Sequence, residues 1–356
     1  MDYKYKIKAG EISLKTKAEQ ELLDKVVSFG CRENPKRHFM LINKLLGRYT
    51  PTSPRVMRNT YDTIAEKIGS GESTYVVSFA EAATGLGAGV ADSLSRKQSE
   101  PVYFQHTTRH EIDSPIWFTL DEKHSHAVDH IFYRPSSETI DDILSIKRLV
   151  VIDDEITTGR TISVLLDNLV KELPSIKEVI IASIMQLNKD LTFLKDHLTG
   201  INFRVISLIE ADLSIVSSKG YKPVLPIRTN SGLSRLKGNI DFGRLAVKLP
   251  LDLNLRFLKS DKNAIVVADG EFQYIPFLLA EELENSGVNV EFQAINRSPL
   301  SLCNNVRNKI IISNYENNAN NYIYNFFPEG KNIFVTSEVF YENLIFHKSV
   351  EYHSCL

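Results

Sequence analysis

The sequence predicts an α/β protein: an open, mostly parallel sheet followed by a second, smaller α/β domain. Three observations predict it. Short apolar runs alternate with helix-like patterns along most of the chain, the order that builds a doubly wound sheet. The runs are continuous in Val and Ile rather than strictly alternating, as expected of strands covered on both faces. The chain's 356 residues also exceed the roughly 250–300 at which a single core stops growing, so two domains are expected.

The elements follow in order. "TYVVSFA" (74–80) reads as a buried strand and "GAGVADSLSRK" (87–97) as the helix after it. "VYFQH" (102–106) and "HIFYRP" (130–135) read as short strands flanking an irregular stretch. "RLVVID" (148–153) is a strand, and "RTISVLLDNLVKEL" (160–173) has apolar residues at helical spacing. "EVIIASIMQ" (178–186) and "FRVISLIE" (203–210) are further strands. From about 211 to 258 the rhythm breaks: Gly220, Pro223, Pro226, Gly232, Gly238, Gly243 and Pro250 interrupt it, which reads as a linker or an extended hood. A second α/β unit then begins with strand 264–269, helix 275–287 and strand 288–295, and continues with strands at 309–313 and 331–336.

Composition excludes several classes. Forty-two basic and 44 acidic residues leave a net charge of −2, too balanced to draw the chain to nucleic acid or an anionic membrane. Basic residues at 222–248 are scattered, which weakens a nucleic-acid-binding reading further. No apolar run approaches the roughly 18 residues that span a bilayer. The charged N-terminus does not read as a signal peptide. Cys31, Cys303 and Cys355 are odd in number and far apart, which suits a reducing compartment. A cytoplasmic protein is expected.

The chemistry concentrates in "LVVIDDEITTGRT" (149–161). In an open parallel sheet, ligands bind beyond the carboxyl ends of the strands, where Asp153 and Asp154 stand. The following Thr157, Thr158, Gly159, Arg160 and Thr161 must reverse the chain tightly, with amides and hydroxyls facing the mouth of the next helix. That is an anion cradle. Carboxylates beside an anion cradle fit one ligand class, a sugar phosphate: the loop takes the phosphate, and the carboxylates take ribose hydroxyls or help hold hydrated Mg²⁺. The bland alternative is a Thr capping the 160–173 helix beside two solvated carboxylates. A second loop, Ala80, Glu81, Ala82, Ala83, Thr84 and Gly85, follows a buried strand, and its small residues would let amides approach an oxyanion. Tight strand–helix packing would need the glycines but not Glu81. A third stretch, 105–135, holds Trp117 and His106, His110, His124, His126 and His130. It reads either as a closing loop or as a surface hairpin. His124 and His126 share a strand face, but no third metal ligand stands at a convincing spacing.

The 149–161 string resembles the motif by which type I phosphoribosyltransferases bind 5-phosphoribosyl-1-pyrophosphate (PRPP). By that resemblance Asp153 and Asp154 meet the ribose 2′- and 3′-hydroxyls, and Thr157, Thr158, Gly159, Arg160 and Thr161 wrap the 5′-phosphate. Ala80–Gly85 takes the place of the pyrophosphate loop, and 105–135 that of the flexible loop. Arg109 would contact pyrophosphate through its fork of donors, with Lys123, His124 and His126 as further flexible-loop candidates. "NPKRHFMLINKLLGRYTPTSP" (34–54), "FAEAATGLGAGVADSL", "HTTRHEI" and "EKHSHAVDHIFYRP" resemble the orotate-phosphoribosyltransferase-like family of Ter-type tellurium-resistance clusters. "ADGEFQYIPFLLAEELENSGVNVEFQAINRSPL" (268–300) resembles its companion TRSP domain, with Asn296 in place of the Thr of that name. Orotate enzymes of this kind carry a lysine in the pyrophosphate loop, and Ala80–Gly85 has none, which argues against orotate.

The resemblance implies a phosphoribosyltransferase domain with N-terminal hood at 1–220, a linker or hood extension at 221–258, and a TRSP-like domain at 259–356. It implies a Mg²⁺-dependent transfer of ribose 5-phosphate to a nucleobase-like acceptor with release of pyrophosphate, in the making of a nucleoside-like metabolite. The partners would be PRPP and the acceptor, with no nucleic acid and no membrane, and a homodimer as a compatible assembly. A non-catalytic PRPP-binding regulatory module is the alternative. In the hood, Lys44, Arg48 and Arg55 would reach base or phosphates, although a solvated helix face also explains them. Gly270–Glu271 and Arg297–Ser298 stand at strand ends of the second domain and would serve either a second ligand or ordinary turns.

Overall fold

The computed structural model describes residues 1–34, 38–120, 130–187, 190–218, 220–222, 234–235, 242–252, 254–314 and 318–354. The chain opens with β1 (Asp2–Ile7), β2 (Gly10–Thr16), α1 (Gln20–Val26), β3 (Val27–Arg32), β4 (Phe39–Asn43) and α2 (Pro54–Ile68). Next come β5 (Thr74–Ser78), α3 (Thr84–Ser95), β6 (Val102–His106), β7 (His110–Glu111), β8 (Ile116–Leu120), β9 (His130–Tyr133) and α4 (Ile140–Ser145). β10 (Arg148–Ile156), α5 (Arg160–Glu172), β11 (Glu178–Gln186), a 3-10 turn Thr192–His197, β12 (Asn202–Ser217), β13 (Ser234–Arg235) and β14 (Val247–Leu249) follow. The last part holds β15 (Ala264–Ala268), α6 (Tyr274–Asn285), β16 (Val290–Ala294), β17 (Leu300–Ser301), β18 (Lys309–Ser313), β19 (Asn320–Tyr324), β20 (Asn332–Thr336) and β21 (Val350–Tyr352).

Packing divides these elements into two compact units: residues 59–211 with 232–253, and residues 1–58 with 212–231 and 254–356. This partition differs from the boundaries read off the sequence. The first 58 residues group with the C-terminal part, and the 232–253 part of the expected linker groups with residues 59–211.

The 59–253 unit holds a sheet in the order β12-β11-β10-β5-β6-β14. β12, β11, β10, β5 and β6 run parallel, and β14 closes the β6 edge antiparallel. Its central strands are buried on both faces, as the continuous Val/Ile runs require: every residue of β5 and of β6 is buried. α5 buries Ile162, Leu165, Leu166 and Leu169, one stripe at helical spacing, and the core continues through Tyr75, Val77, Leu149, Val151, Val179 and Ile181. On α3, an added Cβ at Gly87 would overlap the Ser78 side chain and stand 2.9 Å from Phe104, and one at Gly89 would overlap the Tyr61 ring. These two glycines bring the helix against β6 and α2.

The other unit is built on a four-stranded parallel sheet, β16-β15-β20-β21. Residues 47–52 run beside β16, where Thr52 and Phe292 exchange backbone hydrogen bonds and Ala294 N–H donates to Gly47 O. A β1–β2 hairpin, an antiparallel β17-β3-β4 sheet and a β18–β19 hairpin complete it. The charged N-terminus forms strands, and 39–43, just before Lys44, is a strand as well. No described helix is long and apolar enough to cross a membrane.

Candidate active site

Three parallel strands end together. Ile152 on β10 pairs with Ser78 on β5, which pairs with His106 on β6. On the β5 side the β10 ladder stops at that row; on the β11 side it runs on to Ile156 and Gln186. Asp153 and Asp154 therefore lie inside a strand that runs on to Ile156 with its β5 flank released, rather than at the end of a strand finishing at Asp153. The turn from β5 to α3 and the residues after β6 enter that flank.

Both carboxylates are half-buried. Asp154 N–H donates to Asp153 Oδ1 at 3.0 Å. Burial, and then the charge of Asp154, pushes the Asp153 carboxyl well above the usual carboxylate range.

After Ile156 the chain turns through Thr157, Thr158 and Gly159 into α5. Gly159 is the N-cap residue, with φ of +71°, and no side chain caps the helix. The bland alternative of a Thr at the helix start is met in part, since Thr158 Oγ1 accepts from Arg160 N–H at 3.4 Å. The left-handed turn needs glycine, and an added Cβ would also stand 3.0 Å from Leu191. Ser163 N–H donates to Gly159 O at 2.9 Å, while the first-turn amides of Arg160, Thr161 and Ile162 precede the helical ladder. Thr157, Thr158, Arg160 and Thr161 are exposed around this opening. Behind it, His197 joins Ser163 Oγ at 3.0 Å and Asp167 Oδ1 at 2.6 Å, tying the 3-10 turn to α5.

The loop from Ala80 to Gly85 winds directly into α3. The Ala80–Glu81 peptide is cis. Ala83 N–H donates to Phe79 O, and Thr84 Oγ1 to Glu81 O at 3.2 Å. Glu81 and Ala82 are the partly exposed members; Ala80, Ala83, Thr84 and Gly85 are buried. The helix glycines farther on serve packing, whereas the loop itself continues from the strand that pairs with β10 as far as Ile152.

Sequence reasoning missed the residue that ties this loop to the neighbouring strand. Thr107, fully buried, accepts a hydrogen bond from Ala80 N–H at 3.0 Å and meets His130 Nδ1 at 2.8 Å. One hydroxyl thus joins the Ala80 loop to the His130 ring. His130 opens β9, which pairs antiparallel with β8. The 105–135 stretch is thus a hairpin at its described ends. Lys123, His124 and His126 lie outside the described residues. Arg109 follows Thr108, whose backbone pairs with Ile131, and is partly exposed at the mouth of β6.

Also missed was the strap at 242–249. His106 N–H donates to Gly243 O at 2.7 Å, and Gln105 Nε2 donates to both Tyr133 O and Arg244 O at 2.8 Å. Arg244 is 1% exposed, and its Nε donates to Thr108 Oγ1 at 3.1 Å. No local pattern signals these contacts, because their partners lie more than a hundred residues away. Lys44, Arg48 and Arg55 belong to the other unit, and Arg48 is 4% exposed rather than solvated. Among the described residues no group of three or more His, Cys, Asp or Glu is placed to hold a metal ion.

Comparison with known proteins follows this geometry. A family model described as phosphoribosyl transferase matches residues 26–212, and one described as the TRSP domain C-terminal to it matches 246–346. No curated protein matches. Among solved structures, adenine phosphoribosyltransferase from Trypanosoma brucei, in complex with AMP, pyrophosphate and ribose-5-phosphate, is 18% identical over 55% of this chain and 82% of its own, with a TM-score of 0.34. The Thermoanaerobacter pseudethanolicus adenine enzyme is 18% identical over 53% and 99%, at 0.35. A hypoxanthine-guanine phosphoribosyltransferase from Bacillus anthracis is 12% identical over 38% and 70%, at 0.25. On the family match, which spans more than half its length, this chain belongs to the phosphoribosyl transferase family and carries that family's C-terminal TRSP domain.

Proposed function

We propose that this phosphoribosyltransferase moves ribose 5-phosphate from PRPP to a nucleobase-like acceptor at the ends of β10, β5 and β6. The observation that carries this reading is the junction of a half-buried carboxylate pair with the glycine-opened start of α5 a few residues on. Thr157, Thr158, Gly159, Arg160 and Thr161 surround the 5′-phosphate, with backbone amides as donors. Asp153 and Asp154 accept from the ribose hydroxyls. Ala80, Glu81, Ala82, Ala83, Thr84 and Gly85 border the pyrophosphate, and Arg109 supplies a guanidinium to it. In the reaction the bond from C1 to pyrophosphate oxygen breaks and a bond from acceptor nitrogen to C1 forms. Pyrophosphate leaves, and the acceptor nitrogen gives up its proton. The carboxylates hold the sugar while positive charge builds at its anomeric carbon, so catalysis rests on positioning and preorganised charge.

The residues fit a hydrated Mg²⁺. Adjacent hard oxygen donors, one of them held high by burial and its neighbour, gain from a cation's charge. When bound, the ion would neutralise pyrophosphate charge, with Asp153 and Asp154 holding it through its water.

The test is calorimetry with PRPP and Mg²⁺, followed by pyrophosphate release across a panel of bases. Wild type should bind and turn over, and Asp153→Asn with Asp154→Asn should abolish release. Absence of PRPP binding by wild type removes the proposal. Tight binding without release for any base assigns the regulatory-module reading instead.

A further inference from the structure

The unit built on β15 repeats the layout of a ligand-binding parallel sheet. β15 has β16 on one side and β20 on the other, so the strand order reverses at β15. Ligands of open parallel sheets bind outside the carboxyl ends at such a reversal. Here that edge is charged. After β15 come Asp269, Gly270 and Glu271; after β16 come Asn296, Arg297 and Ser298; after β20 comes Ser337. Backbone bonds hold the three turns together, with Ile295 N–H donating to Ala268 O at 2.8 Å and Asp269 N–H to Thr336 O at 3.2 Å.

Arg32 reaches the same edge, with Nη2 3.5 Å from Ser298 Oγ, and the Arg48 backbone is held there by Asn296 Nδ2, which donates to Arg48 O at 2.7 Å. Arg48 and Glu271 are each 4% exposed, and Asn296 is fully buried. On the β20 side, Tyr341 donates to Asp269 Oδ2 at 3.1 Å. An added Cβ at Gly270 would meet no atom within 4 Å, so this turn borders open space.

Arg297 and Arg32 beside Ser298, with Asp269 and Glu271 after the neighbouring strand, bring guanidiniums, a hydroxyl and carboxylates to one strand-end edge. The mixture of guanidinium fork, hydroxyl and carboxylate matches a molecule with an anion at one end and hydroxyls at the other.

We propose that the carboxyl edge of the β16-β15-β20 sheet is a second ligand site, taking a hydroxylated phosphate monoester, with Arg297, Ser298 and Arg32 at the phosphate and Asp269 and Glu271 at the hydroxyls. The test uses full-length protein and ribose 5-phosphate as probe, with hydrogen exchange read by peptide. Wild type should gain protection at 268–273 and 295–300 independently of 153–163. Arg297→Gln should weaken the second protection about tenfold or more, the loss of one charge-assisted contact. Arg297→Lys keeps the charge without the fork and should fall between. Ser298→Ala, a milder change, guards against misfolding of the arginine variants. Asp153→Asn with Asp154→Asn should leave the 268–273 response intact, so failure at one site is distinguishable from failure at the other. No protection of 268–273 at millimolar probe, or protection unchanged in all three Arg297 and Ser298 variants, overturns the assignment.

Discussion

Thr107→Val isolates one hydroxyl that joins the Ala80 loop to the β8–β9 hairpin. Valine keeps the shape and removes the oxygen, so the Ala80 amide loses its acceptor and His130 Nδ1 loses its partner. Thr107 is fully buried and Ala80 and His130 are each 8% exposed, so water reaches neither group freely. Each orphaned buried group costs about 1–3 kcal/mol, and together they should cost about 2–6 kcal/mol. At about 2–4 °C per kcal/mol for a unit of this size, Tm should fall by about 4–24 °C in calorimetry. Thr107→Ser keeps the hydroxyl and loses one methyl, which should cost only about 1 kcal/mol. PRPP affinity should fall in the valine variant and hold in the serine one, because only the former frees Ala80. If valine and serine variants melt together, within about 0.5 kcal/mol of wild type, the hydroxyl is not joining these elements and the reasoning fails.

Three further outcomes follow from the same geometry. Asp153 has a raised folded pKa, so its ionised form opposes folding; stability should drop as pH rises from the ordinary carboxylate range, 3.8, through the raised value. Asp153→Asn should therefore melt higher than wild type at neutral pH while losing activity, with the gap closing near about pH 4, and a lower melting point at neutral pH would contradict the cause assigned here. Gly89→Ala should destabilise by about 1–2 kcal/mol in urea titration, since overpacking against Tyr61 costs about 1–3 kcal/mol and helix propensity returns about 1; an increase in stability would mean Tyr61 moves aside freely. Gly159→Ala should cost about 1–2 kcal/mol from the left-handed turn and weaken PRPP binding beyond that loss, and unchanged calorimetric affinity would separate the loop from the phosphate.

The sheet was legible because both-face burial leaves a local trace. β5, β6, β10 and β11 each carry a run that no surface strand could tolerate, and their ends were read to within a few residues. Helix α5 was legible through its stripe at Ile162, Leu165, Leu166 and Leu169. β14 was not, because a three-residue edge strand in a Gly- and Pro-rich segment has too few positions to show a period. Its placement depends on Gln105 and His106 receiving residues 243 and 244, contacts of high sequence separation that a local pattern cannot encode. The grouping of residues 1–58 with the C-terminal part was hidden for the same reason: Gly47 and Thr52 find their partners on β16, some 240 residues on.

The same distinction orders the candidate site. Asp153, Asp154 and the Thr157–Thr161 turn are contiguous, so their chemistry could be read as one string. The string alone ended the strand at Asp153, because it could not show that β10 stays paired with β11 through Ile156 while β5 stops at Ser78. Continued pairing with β11 fixes the backbone of Asp153 and Asp154, and the two carboxyls stay within reach of each other, which with burial holds Asp153 above the usual carboxylate range. A flexible loop would have offered the same residue types without that fixed placement, so the strand, more than the residue pair, is what keeps the two acids together.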